Sequence, residues 1–138
     1  MKLSRTVRYA VQASVQLAQS DPAQPVPCSR LAAQGRMPER FLLQILRSLV
    51  THGILRSSRG VDGGYVLERP ADEVSLLDLI EAIDGSLLEE GRADDALADE
   101  TLTAALREVT AVMRHELDAI KLSQLVPPKV DAEQVAVS

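Results

Sequence analysis

The sequence predicts a mainly α-helical fold that carries one small β-hairpin and ends in a long helix. Three observations lead there. Apolar residues recur at helical spacing through most of the chain. The pattern turns extended between Ile54 and Leu67, where glycines separate two short runs. Beyond Asp99 an apolar stripe returns and persists to about Lys121. The 138 residues suffice for the core of one domain, and with aromatics at 2% that core must be aliphatic.

The first helix is predicted from Ser4, a suitable N-cap, to about Gln19, with Val7, Ala10, Val11, Ser14, Leu17 and Ala18 on one face. The segment 21–27 holds three prolines and ends it. A short helix follows from Cys28 through Gln34 with Leu31 and Ala32 inward, and Gly35 is expected to make the next turn. The third helix spans about Pro38 to His52, since proline suits a first helical position and Gly53 a helix end. At 100° per residue Phe41, Leu42, Ile45, Leu46, Leu49 and Val50 fall on its apolar side. Arg40, Gln44, Arg47 and Thr51 fall on the other, with Arg36 just ahead. Short helix, glycine turn, long helix is the pattern of a helix-turn-helix.

The extended stretch reads as Ile54–Ser58, a tip containing Gly60, Gly63 and Gly64, and Tyr65–Leu67. Glycine reaches the backbone angles that so tight a turn needs. Arg56 and Arg59 make this hairpin cationic. A cationic hairpin beside a reading helix is a wing, and its arginine can enter a narrow minor groove where negative potential is deepest. Pro70–Val74 is a linker, and Ser75 caps a fourth helix built on Leu76, Leu77, Leu79, Ile80 and Ile83 that ends near Gly85.

Residues 86–98 form an acidic, glycine-interrupted connection. From Asp99 the side chains Leu102, Leu106, Val109, Met113, Leu117 and Ile120 recur mostly by three and four, close to a heptad seam. Packing against a symmetry mate is the reading taken; the alternative is a helix folded back on its own domain. The chain divides accordingly into a winged helix-turn-helix domain (1–85), an acidic linker (86–98), a dimerisation helix with a short cap (99–126) and a disordered tail (127–138).

The formal net charge of −5 argues at first against a nucleic-acid partner. Its distribution reverses that. Residues 1–60 hold nine Lys and Arg against Asp21 and Glu39, whereas the remainder holds six basic and 18 acidic residues. A basic surface at one end and a solvating, DNA-repelling remainder follow. The outward face of the third helix has cationic and amide side chains without a carboxylate, the chemistry that holds phosphates and reaches base edges. A solvated face normally mixes both signs, and this one does not.

No long uncharged apolar run is present, so no membrane span is predicted, and the N-terminal stretch reads as an amphipathic helix and not as a signal peptide. One cysteine excludes an internal disulfide, and a cytoplasmic location is the default. Cys28 reads as a small half-buried residue in preference to a redox thiol. His52 and His115 lie far apart in sequence, so no metal or catalytic pair is indicated. Glu89, Glu90, Asp94 and Asp95 could hold a hard cation, but a solvated acidic loop is the commoner meaning. No nucleophile, base and stabilising group can be assembled, which argues against an enzyme.

The chain resembles the IscR, NsrR and CymR type of winged helix-turn-helix transcriptional regulator, the Rrf-two family, along nearly all of its length. The resemblance rests on Arg8-Tyr9-Ala10, Val26-Pro27, Phe41-Leu42 with Gln44-Ile45-Leu46, Arg59-Gly60 with Gly63-Gly64-Tyr65, Leu77-Asp78 with Ile80-Glu81-Ala82, and the ending Ile120 to Leu125. It implies a homodimeric repressor or activator on a partly palindromic operator in double-stranded DNA, and repression is the outcome expected here. Gln44 and its neighbours would enter the major groove and Arg59 the minor groove. The DNA-contacting set so expected is Arg8, Arg36, Arg40, Gln44, Arg47, Arg56 and Arg59. Many relatives have an acidic residue just before the glutamine, where this chain has Leu43, so operator preference does not transfer. Cluster-binding members place three cysteines in the loop before the dimer helix. Here that loop has neither cysteine nor histidine, so no iron-sulfur cluster and no cofactor is expected. Control would then fall to a protein or small-molecule effector. The rival reading is a winged-helix module that grips another protein, with DNA affinity incidental.

Overall fold

The computed structural model describes residues 2–87 and 99–128. Its helices are α1 (Arg5–Ala18), α2 (Cys28–Gly35), α3 (Glu39–Thr51), α4 (Leu76–Asp84), α5 (Glu100–Ala119) and α6 (Leu122–Leu125), and its strands are β1 (Leu55–Ser58) and β2 (Gly64–Leu67). The predicted fold class, helical with one antiparallel hairpin, is what the chain adopts.

Local chemistry accounts for the element ends. The Ser4 side chain accepts from the Val7 amide at 3.2 Å and caps α1. Ser75 and Asp78 form a reciprocal capping box at α4, with bonds of 3.0 and 2.9 Å. Gly53, at φ 74°, ends α3 and lets the Ile54 amide turn back to the Leu49 carbonyl at 3.0 Å. Two predicted ends move. Pro38 is the N-cap of α3 and not its first helical residue. Gly35 is the last residue of α2, and the left-handed turn falls instead on Arg36, at φ 53° and ψ 48°. Gly35 instead packs under the ends of the Met37 and Gln16 side chains, with a Cβ there 2.4 Å from the Met37 Cε and 3.0 Å from the Gln16 amide nitrogen. The predicted linker at 70–74 contains a single 3-10 turn, Ala71–Glu73.

The main core is aliphatic and joins α1, α2, α3, β1 and α4 through Leu17, Leu31, Leu42, Leu46, Leu49, Ile54, Leu55 and Leu79. Leu122 of α6 is fully buried in it. Backbone bonds from Leu76 to the Ile120 carbonyl (2.8 Å) and from Leu122 to the Val74 carbonyl (2.7 Å) bind the end of α5 to the start of α4. A second cluster gathers Val7, Leu77, Ile80, Leu87 and Leu117, with Met113 packed against it. Two of the six expected seam residues, Met113 and Leu117, therefore face their own domain. The foot of α5 follows the fold-back alternative, since Leu117 and Met113 cover apolar side chains of α1 and α4. The predicted carboxylates Glu89, Glu90, Asp94 and Asp95 lie outside the described residues, as does most of the expected tail.

The hairpin pairs Leu55 with Leu67, Arg56 with Val66, Ser57 with Tyr65 and Ser58 with Gly64. Gly60, at φ 108°, accepts from the Gly63 amide across the tip at 3.0 Å. Tyr65 exchanges two backbone bonds with Val26, of 3.0 and 2.9 Å, so the loop before α2 forms a bridge to the wing.

Candidate nucleic-acid interface

Helix α3 buries Leu42, Ile45, Leu46 and Leu49 and turns Arg40, Gln44, Arg47 and Thr51 to solvent. Anchoring four side chains on one face fixes the azimuth of the other. Arg36 is exposed in the turn that precedes α3, Arg8 is exposed on α1, and Arg59 is exposed at the start of the wing tip. Among the described residues none of Arg8, Arg36, Arg40, Arg47 and Arg59 forms an ion pair. Arg56 does, meeting Glu68 on the neighbouring strand at 3.6 Å. Both side chains of that pair are open to water, so the contact is weak and leaves Arg56 available to a stronger anion.

The reading helix, the start of α2 and the wing meet at Cys28 and Tyr65. The Cys28 thiol donates to the Glu39 carbonyl at 3.7 Å. Burial, and then the nearby Glu39 carboxylate, push its pKa up, so it stays protonated at neutral pH and lacks the profile of a reactive thiol. Burial and Cys28 also raise Tyr65, while Arg47 opposes the shift.

Two residues sit otherwise than the pattern suggested. Phe41 was expected to bury; it is 43% exposed, with its ring meeting Tyr9 edge to face at 6.1 Å and 84°. Its wheel position, 60° from Gln44, already lay at the margin of the apolar arc. Val61 at the wing tip is fully exposed and drew no attention, because one valine among glycines has no periodicity to betray it. On α5 the side chains of Leu102, Leu106, Val109 and Val112 are more than half exposed. Val112 was missed because it falls beside a strict heptad seam and not on it.

An anchored helix with an exposed cationic face, flanked by a hairpin bearing an exposed arginine, defines a winged helix-turn-helix DNA-binding protein. The family model described as "Rrf2: Iron-dependent Transcriptional regulator" matches residues 3–128. The chain belongs to the Rrf2 family of transcriptional regulators. It is 38% identical over 130 residues to a Mycobacterium tuberculosis protein that carries the name HTH-type transcriptional regulator, covering 91% of this chain and 81% of that one. It is 31% identical to the HTH-type transcriptional regulator IscR of Escherichia coli, covering 91% and 80%. Among solved structures, IscR of T. potens superimposes with a TM-score of 0.72 at 28% identity, covering 91% of this chain and 85% of that chain. CymR of B. subtilis, the global cysteine regulator, shares the fold with a TM-score of 0.74 at 24% identity, covering 91% and 95%. These relatives are named as regulators and not as enzymes, and they favour the DNA-binding reading over the adaptor reading.

The family description names iron, and the donors of this chain do not fit a cluster. The 138 residues contain one cysteine and two histidines. Cys28 is engaged with Glu39, and the His52 ring holds the Ser48 carbonyl at 2.8 Å. Among the described residues no group of three His, Cys, Asp or Glu side chains is placed to hold a metal ion. Iron-sulfur clusters are normally held by several thiolates, which this sequence cannot supply. No described helix is long and apolar enough to cross a membrane.

Proposed function

We propose that the chain acts as a cytoplasmic, homodimeric, cluster-free repressor that binds a partly palindromic operator. The observation that carries this reading is the outward face of α3, where Arg40, Gln44 and Arg47 are exposed and the cations form no ion pair among the described residues. In the proposed complex Gln44 meets a base edge, Arg36, Arg40 and Arg47 contact phosphates and bases, Arg8 and Arg56 contact the backbone, and Arg59 enters the minor groove. A second copy is the natural cover for the exposed Leu102, Leu106, Val109 and Val112, and it would set two reading helices about one helical turn apart. With no thiolate set for a cluster, the signal would reach the protein through a small-molecule or protein effector.

Binding of the purified protein to the promoter of its own gene, measured at rising salt, tests the reading. Sequence-selective binding is expected, with affinity falling steeply as salt displaces the cationic contacts. Arg59→Ala should weaken that binding and flatten its salt slope, and an unchanged slope would remove Arg59 from the interface. Protein purified without oxygen should carry no stoichiometric iron and show no visible absorbance.

A further inference from the structure

The core of this protein is built almost without aromatic residues, yet its single phenylalanine is left in water. The sequence contains one Phe and two Tyr. Phe41 is 43% exposed on α3, while aliphatic side chains fill the interior behind it. It is the one large hydrophobic side chain exposed on that helix among the described residues. The others are Val61 on the wing and four residues of α5.

Its place is specific. Phe41 lies in the first turn of α3, the end of a recognition helix that reaches base edges in this class of fold. Arg40 precedes it, and Gln44 stands three residues on, on the neighbouring part of the same surface. The edge-to-face contact with Tyr9 holds the ring upright from the α1 side and limits its freedom before any partner arrives. A phenyl ring neither donates nor accepts a strong hydrogen bond. In the major groove the one apolar group that it can recognise is the C5 methyl of thymine.

We infer that Phe41 is a specificity-determining residue that packs on a thymine methyl beside the base read by Gln44. This rests on the DNA-binding reading above and extends it to a base identity. Burying one methyl group corresponds to about a fourfold change in affinity.

The test uses the full chain and a duplex enriched by it from a random pool. Each thymine is replaced in turn by deoxyuridine, which keeps base pairing and removes only the methyl. The expected result is one thymine per half-site at which the replacement weakens binding about fourfold. Phe41→Ala should bind the thymine and uracil duplexes alike at that position. Sequence-selective binding with no thymine sensitive to the replacement would overturn the inference while leaving the DNA reading intact. A Phe41→Ala protein that kept the wild-type ratio would overturn it equally. Failure to enrich any sequence would instead sink the DNA reading, and this inference with it.

Discussion

Gly64 lies flat against the backbone of Val26. A Cβ at Gly64 would stand 2.4 Å from the Val26 carbonyl carbon and 2.5 Å from its oxygen. The contact is backbone on backbone, and it sits beside the paired bonds between Val26 and Tyr65. It fixes the wing to the loop that leads into α2.

Gly64→Ala should therefore cost about 2–3 kcal/mol, because neither neighbour can move aside as a flexible side chain would. Gly60→Ala provides the contrast. Gly60 has open space around its Cα, and only its φ of 108° resists a side chain, for which about 1–2 kcal/mol is expected. Thermal melts should rank Gly64→Ala as the more damaging, and an equal or reversed ranking would show that the wing is not anchored through Val26.

Much of this architecture was legible because it follows from period and caps. Ser4, Ser75, Gly53 and the apolar faces of α1, α3 and α4 each state their role locally. What escaped was decided between elements. Nothing local distinguishes Gly35 as a packing glycine from Gly35 as a turn; the side chains of Met37 and Gln16 decide it. Likewise Leu106 and Leu117 share one stripe in the sequence, and only the position of α4 separates the exposed residue from the buried one. The exposure of Phe41 depends in the same way on where α1 leaves Tyr9.

Arg36 holds a left-handed conformation at the turn between α2 and α3, which costs a side-chain-bearing residue about 1–2 kcal/mol. A strained backbone that keeps an exposed cation beside the reading helix suggests that the charge is worth the strain. Arg36→Gly should leave stability unchanged or raise it by up to about 1 kcal/mol, since glycine adopts the angle freely but loses more chain entropy on folding. DNA affinity should fall at the same time, with the log–log salt slope reduced in magnitude by about 0.9, the value for one phosphate contact. Filter binding across a salt series, together with denaturant melts, separates the two effects. A drop in stability with no change in slope would assign Arg36 a structural role.

The two ends of the α5 stripe should behave differently. Leu106→Glu with Val109→Glu alters side chains that are more than half exposed and belong to neither core cluster of the described residues. The pair should leave the proposed dimer a folded monomer by sedimentation, with the far-ultraviolet spectrum kept. Leu117 is 6% exposed among Val7, Leu77, Ile80 and Leu87. Leu117→Ala should cost about 2–4 kcal/mol through the cavity it leaves. If the glutamate pair left the protein dimeric, the exposed half of α5 would not be the interface.

The protein should lose stability on the alkaline side through the junction of α2 with the wing. Cys28 and Tyr65 are both neutral acids whose pKa is raised, chiefly by burial, with the Glu39 carboxylate adding to the shift of Cys28 and Cys28 adding to that of Tyr65. On raising the pH, the unfolded chain gives up its thiol proton first, near the ordinary value of about 8.5. From there up to the raised folded value the unfolded state binds fewer protons than the folded one, so stability falls as pH rises. Below the unfolded value the contribution is complete and the melting temperature should not respond to these groups. Cys28→Ser removes the thiol proton and should flatten the alkaline decline while leaving the neutral-pH spectrum unchanged. The same protonated state makes Cys28 slow toward iodoacetamide at neutral pH, slower than a free cysteine under the same conditions. Alkylation at or above the free-cysteine rate would show instead that the thiolate is stabilised, and Cys28 would then become a candidate redox switch.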